Sequence, residues 1–233
     1  MECYNGHAYR TSLYKCEAII GDFMDMNFWS KFRGFSRVPN WEGTYNAEQE
    51  NGVDLYVDGS TVDEKAKMFD IGRENRSSDF ALQVMINKDR DTTREENKKG
   101  QRMGWLLRHS DTNYYAFLYP YAKEYIESYT QLQSPDDLNF VDVIIVPKDA
   151  LYNKMHECGL DGITLMNEAI VITRTAIRNK KTTFKTLNHE YGLRMMCNPN
   201  NDQQQVNLLV SQEFLNSIAY KSERVLPKCE NFQ

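Results

Sequence analysis

The stretch Gly52-Val53-Asp54-Leu55-Tyr56-Val57-Asp58-Gly59-Ser60-Thr61-Val62-Asp63-Glu64-Lys65-Ala66 decides how this chain is read. Val53–Val57 is rich in β-branched and aromatic side chains, the composition of a strand. Asp58-Gly59 is a hairpin signal, because a two-residue turn needs positive φ at both central residues, and Asp and Gly tolerate it. Thr61–Met68 is then the returning strand. Side chains alternate along a strand, so Asp63 and Lys65 share one face. The hairpin brings that face back towards Asp54, nine residues earlier. Two carboxylates and an ammonium therefore converge at one end of a sheet.

Such a cluster has a chemical use. Two carboxylates offer hard oxygen ligands to Mg²⁺, which keeps several of its waters, and Mn²⁺ substitutes for it. The ion polarises a phosphodiester oxygen and lowers the pKa of a bound water. A lysine beside it orients that water or stabilises the negative charge that develops.

Outward from the hairpin, residues 8–32 place Leu13, Cys16, Ile19, Ile20, Phe23 and Met26 near a 3.6-residue period, which predicts a long amphipathic helix. Gly34, Pro39 and Gly43 then break the helix. Phe80–Ile86 reads as a strand, and residues 88–102 (KDRDTTREENKKGQR) as an exposed charged excursion. Gly104–Leu107, Tyr114–Tyr119 and Phe140–Val146 read as further strands, the last leading through Pro147 into a helix to about His156. A second strand-then-helix unit covers Val206–Val210 and Gln212–Tyr220, with Ser211 as its N-cap. The sum is one mixed α/β domain over residues 1–233, a central sheet flanked by helices.

Composition narrows the classes further. The 233 residues are 41% hydrophobic and 26% charged, enough for a real core and against wholesale disorder. No apolar run reaches the roughly 20 residues of a membrane span, and MECYNGHAYR does not read as a signal peptide. The cysteines, Cys3, Cys16, Cys158, Cys197 and Cys229, are odd in number and scattered, the expectation for reduced thiols in a cytoplasmic protein. His156 with Cys158, and His189 with Cys197, lack the compact spacing of a zinc site.

The arrangement around the hairpin resembles the PD-(D/E)XK nuclease superfamily, whose pattern is an acid on one strand and acid-any-Lys on the next. Asp54 matches the first acid, Asp63 the second and Lys65 the lysine. The polar approach Gln49-Glu50-Asn51-Gly52-Val53 and the follow-on segments Phe80–Val84, Gly104-Trp105 and Thr112–Phe117 look similar as well. The resemblance covers about residues 10–120 and implies a restriction-endonuclease-like core, with a C-terminal strand-helix extension over about 121–233. It implies metal-dependent hydrolysis of DNA phosphodiesters, by an endonuclease of restriction or phage-related type, with Asp54 and Asp63 holding Mg²⁺ and Lys65 assisting the attacking water. The family often carries an acid on its third strand, where this chain has Gln83, and a glutamate in its first helix, where Glu17 is the candidate. Glu64 departs from the pattern, being charged where an apolar residue is commoner. A catalytically inactive binding protein of the same fold is the alternative.

Net charge is −5, so contact with a polyanion must come from local patches. Residues 174–194 hold Arg174, Arg178, Lys180, Lys181, Lys185 and Arg194 against the single acid Glu190, a field suited to a phosphate backbone. Lys31, Arg33 and Arg37 form a smaller patch just before the hairpin. DNA is the expected partner. RNA is the other polynucleotide the same residues would serve, and a homodimer is expected for cutting both strands of a duplex.

Overall fold

The apolar period of the N-terminal segment becomes helix α1, Gly6–Asn27, followed by a short 3₁₀ turn at Trp29–Lys31. The computed structural model describes residues 6–39, 51–68, 71, 79–87, 101–109, 111–124, 126, 131–199 and 205–228. Most of the charged 88–102 excursion lies outside the described residues. The remaining strands are β1 (Ser36–Arg37), β2 (Leu55–Val57), β3 (Ser60–Ala66), β4 (Phe80–Asn87), β5 (Gln101–Met103), β6 (Tyr114–Ala122), β7 (Leu138–Pro147), β8 (Thr183–Asn188), β9 (Leu193–Cys197), β10 (Gln205–Val210) and β11 (Lys221–Val225). The helices after α1 are α2 (Trp105–Arg108), α3 (Lys148–Glu157), α4 (Gly162–Asn179) and α5 (Gln212–Ser217).

The elements form a mixed α/β fold with two sheets, one of six strands in the order β1-β2-β3-β6-β7-β11 and one of five in the order β5-β4-β10-β9-β8. They divide into two compact units. One takes Met1–Ser77, Asp111–Lys148 and Ala219–Gln233, and the other takes Ser78–Ser110 and Asp149–Ile218. Among the described residues no helix is long and apolar enough to cross a membrane.

In the first unit the hairpin closes as the sequence requires. Val57 pairs with Ser60, and the two residues between them, Asp58 and Gly59, have φ of 50° and 78°. Both central residues are left-handed, the geometry of a tight turn whose twist matches the strands it joins. The Asp58 N–H donates to the Arg33 carbonyl at 2.9 Å, which ties the turn to the segment after α1. Beyond the hairpin, β3 runs parallel to β6, with Asp63 opposite Tyr115 and Lys65 opposite Phe117. All other pairings in this sheet are antiparallel.

Cys16, Ile19, Ile20, Phe23 and Met24 lie on one side of α1 and pack with Leu55, Val62, Ala116, Leu118, Val141, Val143 and Ile145 of the sheet. The spacing of three and four residues puts them on one stripe. Each buried side chain of this size contributes about 1.5–3 kcal/mol relative to exposure, so the helix is held by the sheet more than by its own propensity.

In the second unit the sheet is wholly antiparallel. Helix α4 buries Leu165, Ala169, Ile172, Thr173 and Ala176. Asp161 caps its start, accepting from the Thr164 N–H at 2.7 Å, and left-handed Lys180 ends it. Ser211 caps α5 as expected, its Oγ accepting from the Phe214 N–H at 3.0 Å. Two expectations change here. Gly104–Leu107 is not a strand: α2 begins at Trp105, directly after Gly104. Phe80–Ile86 is a strand, but it belongs to the five-stranded sheet, and β6 takes the place beside β3.

Candidate active site

Asp54 stands at the entry to β2, Asp63 and Lys65 on β3, and the hairpin register places Leu55 opposite Val62. Each acid is therefore next to a residue of the same cross-strand pair, and the two side chains meet. The Asp54 and Asp63 carboxyls are hydrogen-bonded to each other. The Lys65 ammonium donates to Asp63 Oδ1, as the two-residue spacing on one strand face allows. Asp54 Oδ2 accepts from the Glu64 N–H at 2.8 Å. Asp63 has 0% of its surface exposed, while Asp54 and Lys65 are half-buried.

Burial dominates the electrostatics. It pushes the Asp54 carboxyl up to about 7, and the neighbouring charge of Asp63 adds to the rise. Asp63 is also raised by burial, with Lys65 pulling the other way. Burial alone would lower Lys65, but Asp63 and Asp54 more than offset it, so the ammonium is held charged. The result is a pair of close carboxyls, both biased towards the protonated form by burial, beside a charged ammonium.

Glu17 joins this group from α1. Its side chain keeps solvent contact, so it stands at the mouth of the site. Desolvation pushes its carboxyl up to about 7, against the pull of Lys65, with Asp54 and Asp63 adding to the rise. The glutamate expected from the first helix is therefore within the electrostatic reach of the other three.

Gln83 is a correction. It sits on β4 in the five-stranded sheet, opposite Asn207 of β10, and not on the strand beside β3. The positions next to Asp63 and Lys65 are filled by Tyr115 and Phe117 of β6, both fully buried. An acid on the neighbouring strand is absent, because that strand is a core strand.

Arg37 is a second correction. Its guanidinium is not free for phosphate: it is paired with Asp25 at 2.6 Å and with Glu64 at 2.7 Å, and only 27% of the side chain is exposed. Arg33 and Lys31 remain exposed. Of the 174–194 segment, Arg174, Arg178, Lys180 and Lys181 are exposed around the C-terminal end of α4. Lys185 is engaged by Glu168, and Arg194 by Asp79 at 2.5 Å. The six basic residues thus divide into four open cations and two that are already neutralised.

No family model matches the chain, and neither a curated protein nor a solved structure matches it. The chemistry of the site is therefore read from its own donors. Among the described residues no group of three or more His, Cys, Asp or Glu is placed to hold a metal. Asp54 and Asp63 are a pair of hard oxygen donors, and a pair fits an ion that keeps most of its water shell, as Mg²⁺ does.

Missing from the sequence reading were Trp29, whose Nε1 donates to Glu64 Oε1 at 2.6 Å, and Asp25, which pairs with Arg37 at 2.6 Å. Their only sequence signal was the unexpected charge of Glu64 between Asp63 and Lys65.

Proposed function

We propose that the protein is a Mg²⁺-dependent phosphodiesterase acting on DNA, a nuclease of the PD-(D/E)XK type. The observation that carries this reading is the hydrogen-bonded Asp54–Asp63 pair with the Lys65 ammonium on the same face of β3. Asp54 and Asp63 are the residues that would hold the ion, which supplies Lewis-acid polarisation of the phosphodiester and a more acidic water.

The chain's own groups then have distinct tasks. Lys65 lies where it can steady negative charge on the non-bridging phosphate oxygens. Glu17, held near neutrality at the mouth, suits a proton acceptor at physiological pH. In the hydrolysis, water oxygen bonds to phosphorus and the P–O bond to the leaving alcohol breaks. The water proton passes to Glu17, and the leaving oxygen takes a proton from solvent. Arg174, Arg178, Lys180 and Lys181 supply sequence-independent contacts to a phosphate backbone, and a homodimer would present two such sites to a duplex. RNA would meet the same three residues, since the chemistry acts on the phosphodiester.

The test is cleavage of plasmid and linear DNA with Mg²⁺ or Mn²⁺, comparing the parent with Asp63→Ala. Metal-dependent cleavage lost in the variant supports the reading, and equal cleavage by both proteins sinks it. A second reading, a nucleic-acid-binding protein without catalysis, is favoured by Tyr115 and Phe117 on β6 where an acid would strengthen the site. DNA binding that survives Asp63→Ala, with no cleavage by either protein and no metal-binding heat in calorimetry, selects it.

A further inference from the structure

Glu64 lies between Asp63 and Lys65 in sequence, yet its side chain has a different set of partners. Its backbone N–H donates to Asp54 Oδ2 at 2.8 Å. Its carboxylate accepts from Trp29 Nε1 at 2.6 Å and is paired with Arg37 Nη1 at 2.7 Å. Arg37 also grips Asp25 as a two-pronged fork, Nε to Oδ2 at 2.7 Å and Nη2 to Oδ1 at 2.6 Å. Its guanidinium packs flat on the helix at Gly21, where a methyl group would stand 3.5–3.6 Å from it.

Gly21 and Asp25 fall at intervals of four from Glu17, so all three lie along one stripe of α1. The guanidinium therefore joins two things. One is the helix stripe that carries Glu17. The other is the residue whose flanks are Asp63 and Lys65 and whose N–H holds Asp54. A fork-shaped group is suited to this, because it fixes orientation as well as distance.

We propose that Arg37, acting through Glu64 and anchored by Asp25 and Trp29, is the positioning clamp of the carboxylate site. It sets the angle of the Glu64 N–H that orients Asp54, and it fixes the register of α1 so that Glu17 faces the pair. The proposal rests on the reading of Asp54 and Asp63 as metal ligands for what is being positioned, while the clamp itself can be tested without it. It also accounts for the charge at position 64, since an apolar residue there would take the acceptor from Trp29 and one of two acidic partners from Arg37.

The test compares full-length parent, Arg37→Met and Arg37→Lys in two measurements. The first is Mn²⁺ affinity by electron paramagnetic resonance. The second is amide hydrogen exchange at residue 64 against residues 117 and 144 in the centre of the sheet. Arg37→Met should weaken Mn²⁺ binding by roughly tenfold to a hundredfold, the usual effect of losing an outer-shell orienting group. It should also speed exchange at residue 64 by about tenfold or more while residues 117 and 144 hold their protection. Arg37→Lys should restore part of both. If Arg37→Met does not fold, Glu64→Gln, which keeps the shape and the acceptor for Trp29, carries the same two measurements.

Unchanged exchange at residue 64 overturns the clamp, and so does equal loosening of all three amides, which would mark Arg37 as a general stabiliser. A parent that binds no Mn²⁺ removes the metal reading. The exchange pattern then still decides whether Arg37 positions Asp54.

Discussion

Asp54 is hydrogen-bonded to Asp63 across the hairpin, carboxyl to carboxyl, with Asp63 wholly buried. Two such groups cannot both ionise cheaply, and on the proposed reading a bound cation would relieve their repulsion. Replacing Asp63 with Asn should lower metal-dependent DNA cleavage by about a thousandfold or more, a loss of several kcal/mol of transition-state stabilisation. The metal-free fold should also melt lower, because the Lys65 ammonium loses the buried carboxylate it is paired with. Parallel cleavage assays and thermal melts check both halves.

The pH dependence follows from Asp54, raised from its ordinary value to about 7 by burial first and Asp63 second. A raised folded pKa means that the fold favours the protonated acid. Its stabilisation is present below the ordinary carboxylate range and is lost as pH rises through about 7. The metal-free protein should therefore melt lower at pH 7.5 than at pH 5 by a few degrees. Mn²⁺ affinity should climb over the same interval, because the ligands must lose their proton. Melting curves from pH 4.5 to 8, with and without Mn²⁺, test this. Asp54→Asn should flatten the metal-free profile.

Lys65 is not a ligand in this scheme, and that separates it from its neighbours. Lys65→Met should leave Mn²⁺ binding within a few fold of the parent, yet reduce cleavage by about a hundredfold to a thousandfold, the scale of losing one charge-stabilising group. Loss of metal binding in this variant would instead make the ammonium a structural counter-charge to Asp63.

The four open cations around the end of α4 predict a salt effect. Changing Arg174, Arg178, Lys180 and Lys181 together to Ala should weaken DNA binding and flatten its salt dependence. Each lost phosphate contact should reduce the slope of log affinity against log salt by about 0.9. Lys185→Ala and Arg194→Ala should each change the slope little, because Glu168 and Asp79 already neutralise them. Binding titrations over a series of salt concentrations give the slopes.

Gly104 offers a test of the second unit. A methyl group there would fall inside contact distance of the Gln83 backbone carbonyl, and backbone cannot swing aside as a flexible side chain can. Gly104→Ala should destabilise by about 1–3 kcal/mol or more, read as a lower denaturant midpoint. An unchanged midpoint would mean that α2 can shift to make room.

The parts of the fold that were legible are those whose physics is local. The Asp58-Gly59 turn, the apolar stripe of α1 and the Ser211 cap each follow from neighbours a few residues apart; the turn and the cap stand as read, and in the stripe Cys16, Ile19, Ile20 and Phe23 do, while Met26 is exposed and Met24 is buried instead. The pairing of β3 with β6 has no local mark, because parallel strands are joined by a long excursion. That is why Phe80–Val84 looked like the next strand of the hairpin's sheet and Gln83 looked like a site residue. The partners of Glu64 were hidden for a similar reason: one buried ion network is drawn from α1, the turn after it, β1 and β3, four separate places in the chain. The strands β8 and β9 were also missed, since their exposed faces are basic and polar and read as a charged patch.

The interleaving of the two units has a consequence for anyone who wishes to trim the chain. The segment from about residue 10 to 120 carries Glu17, Asp54, Asp63 and Lys65, and looks on paper like a minimal catalytic piece. Yet β6 would be cut within its own span and stripped of β7, and β4 would lose β10, whose residues begin at Gln205. Two orphaned strand edges would be exposed in one fragment, the usual route to inclusion bodies. The edge strand β11 completes the first sheet only when residues 221–225 have been made. The sheet that carries Asp63 and Lys65 is thus closed only after every element of the second unit has been made.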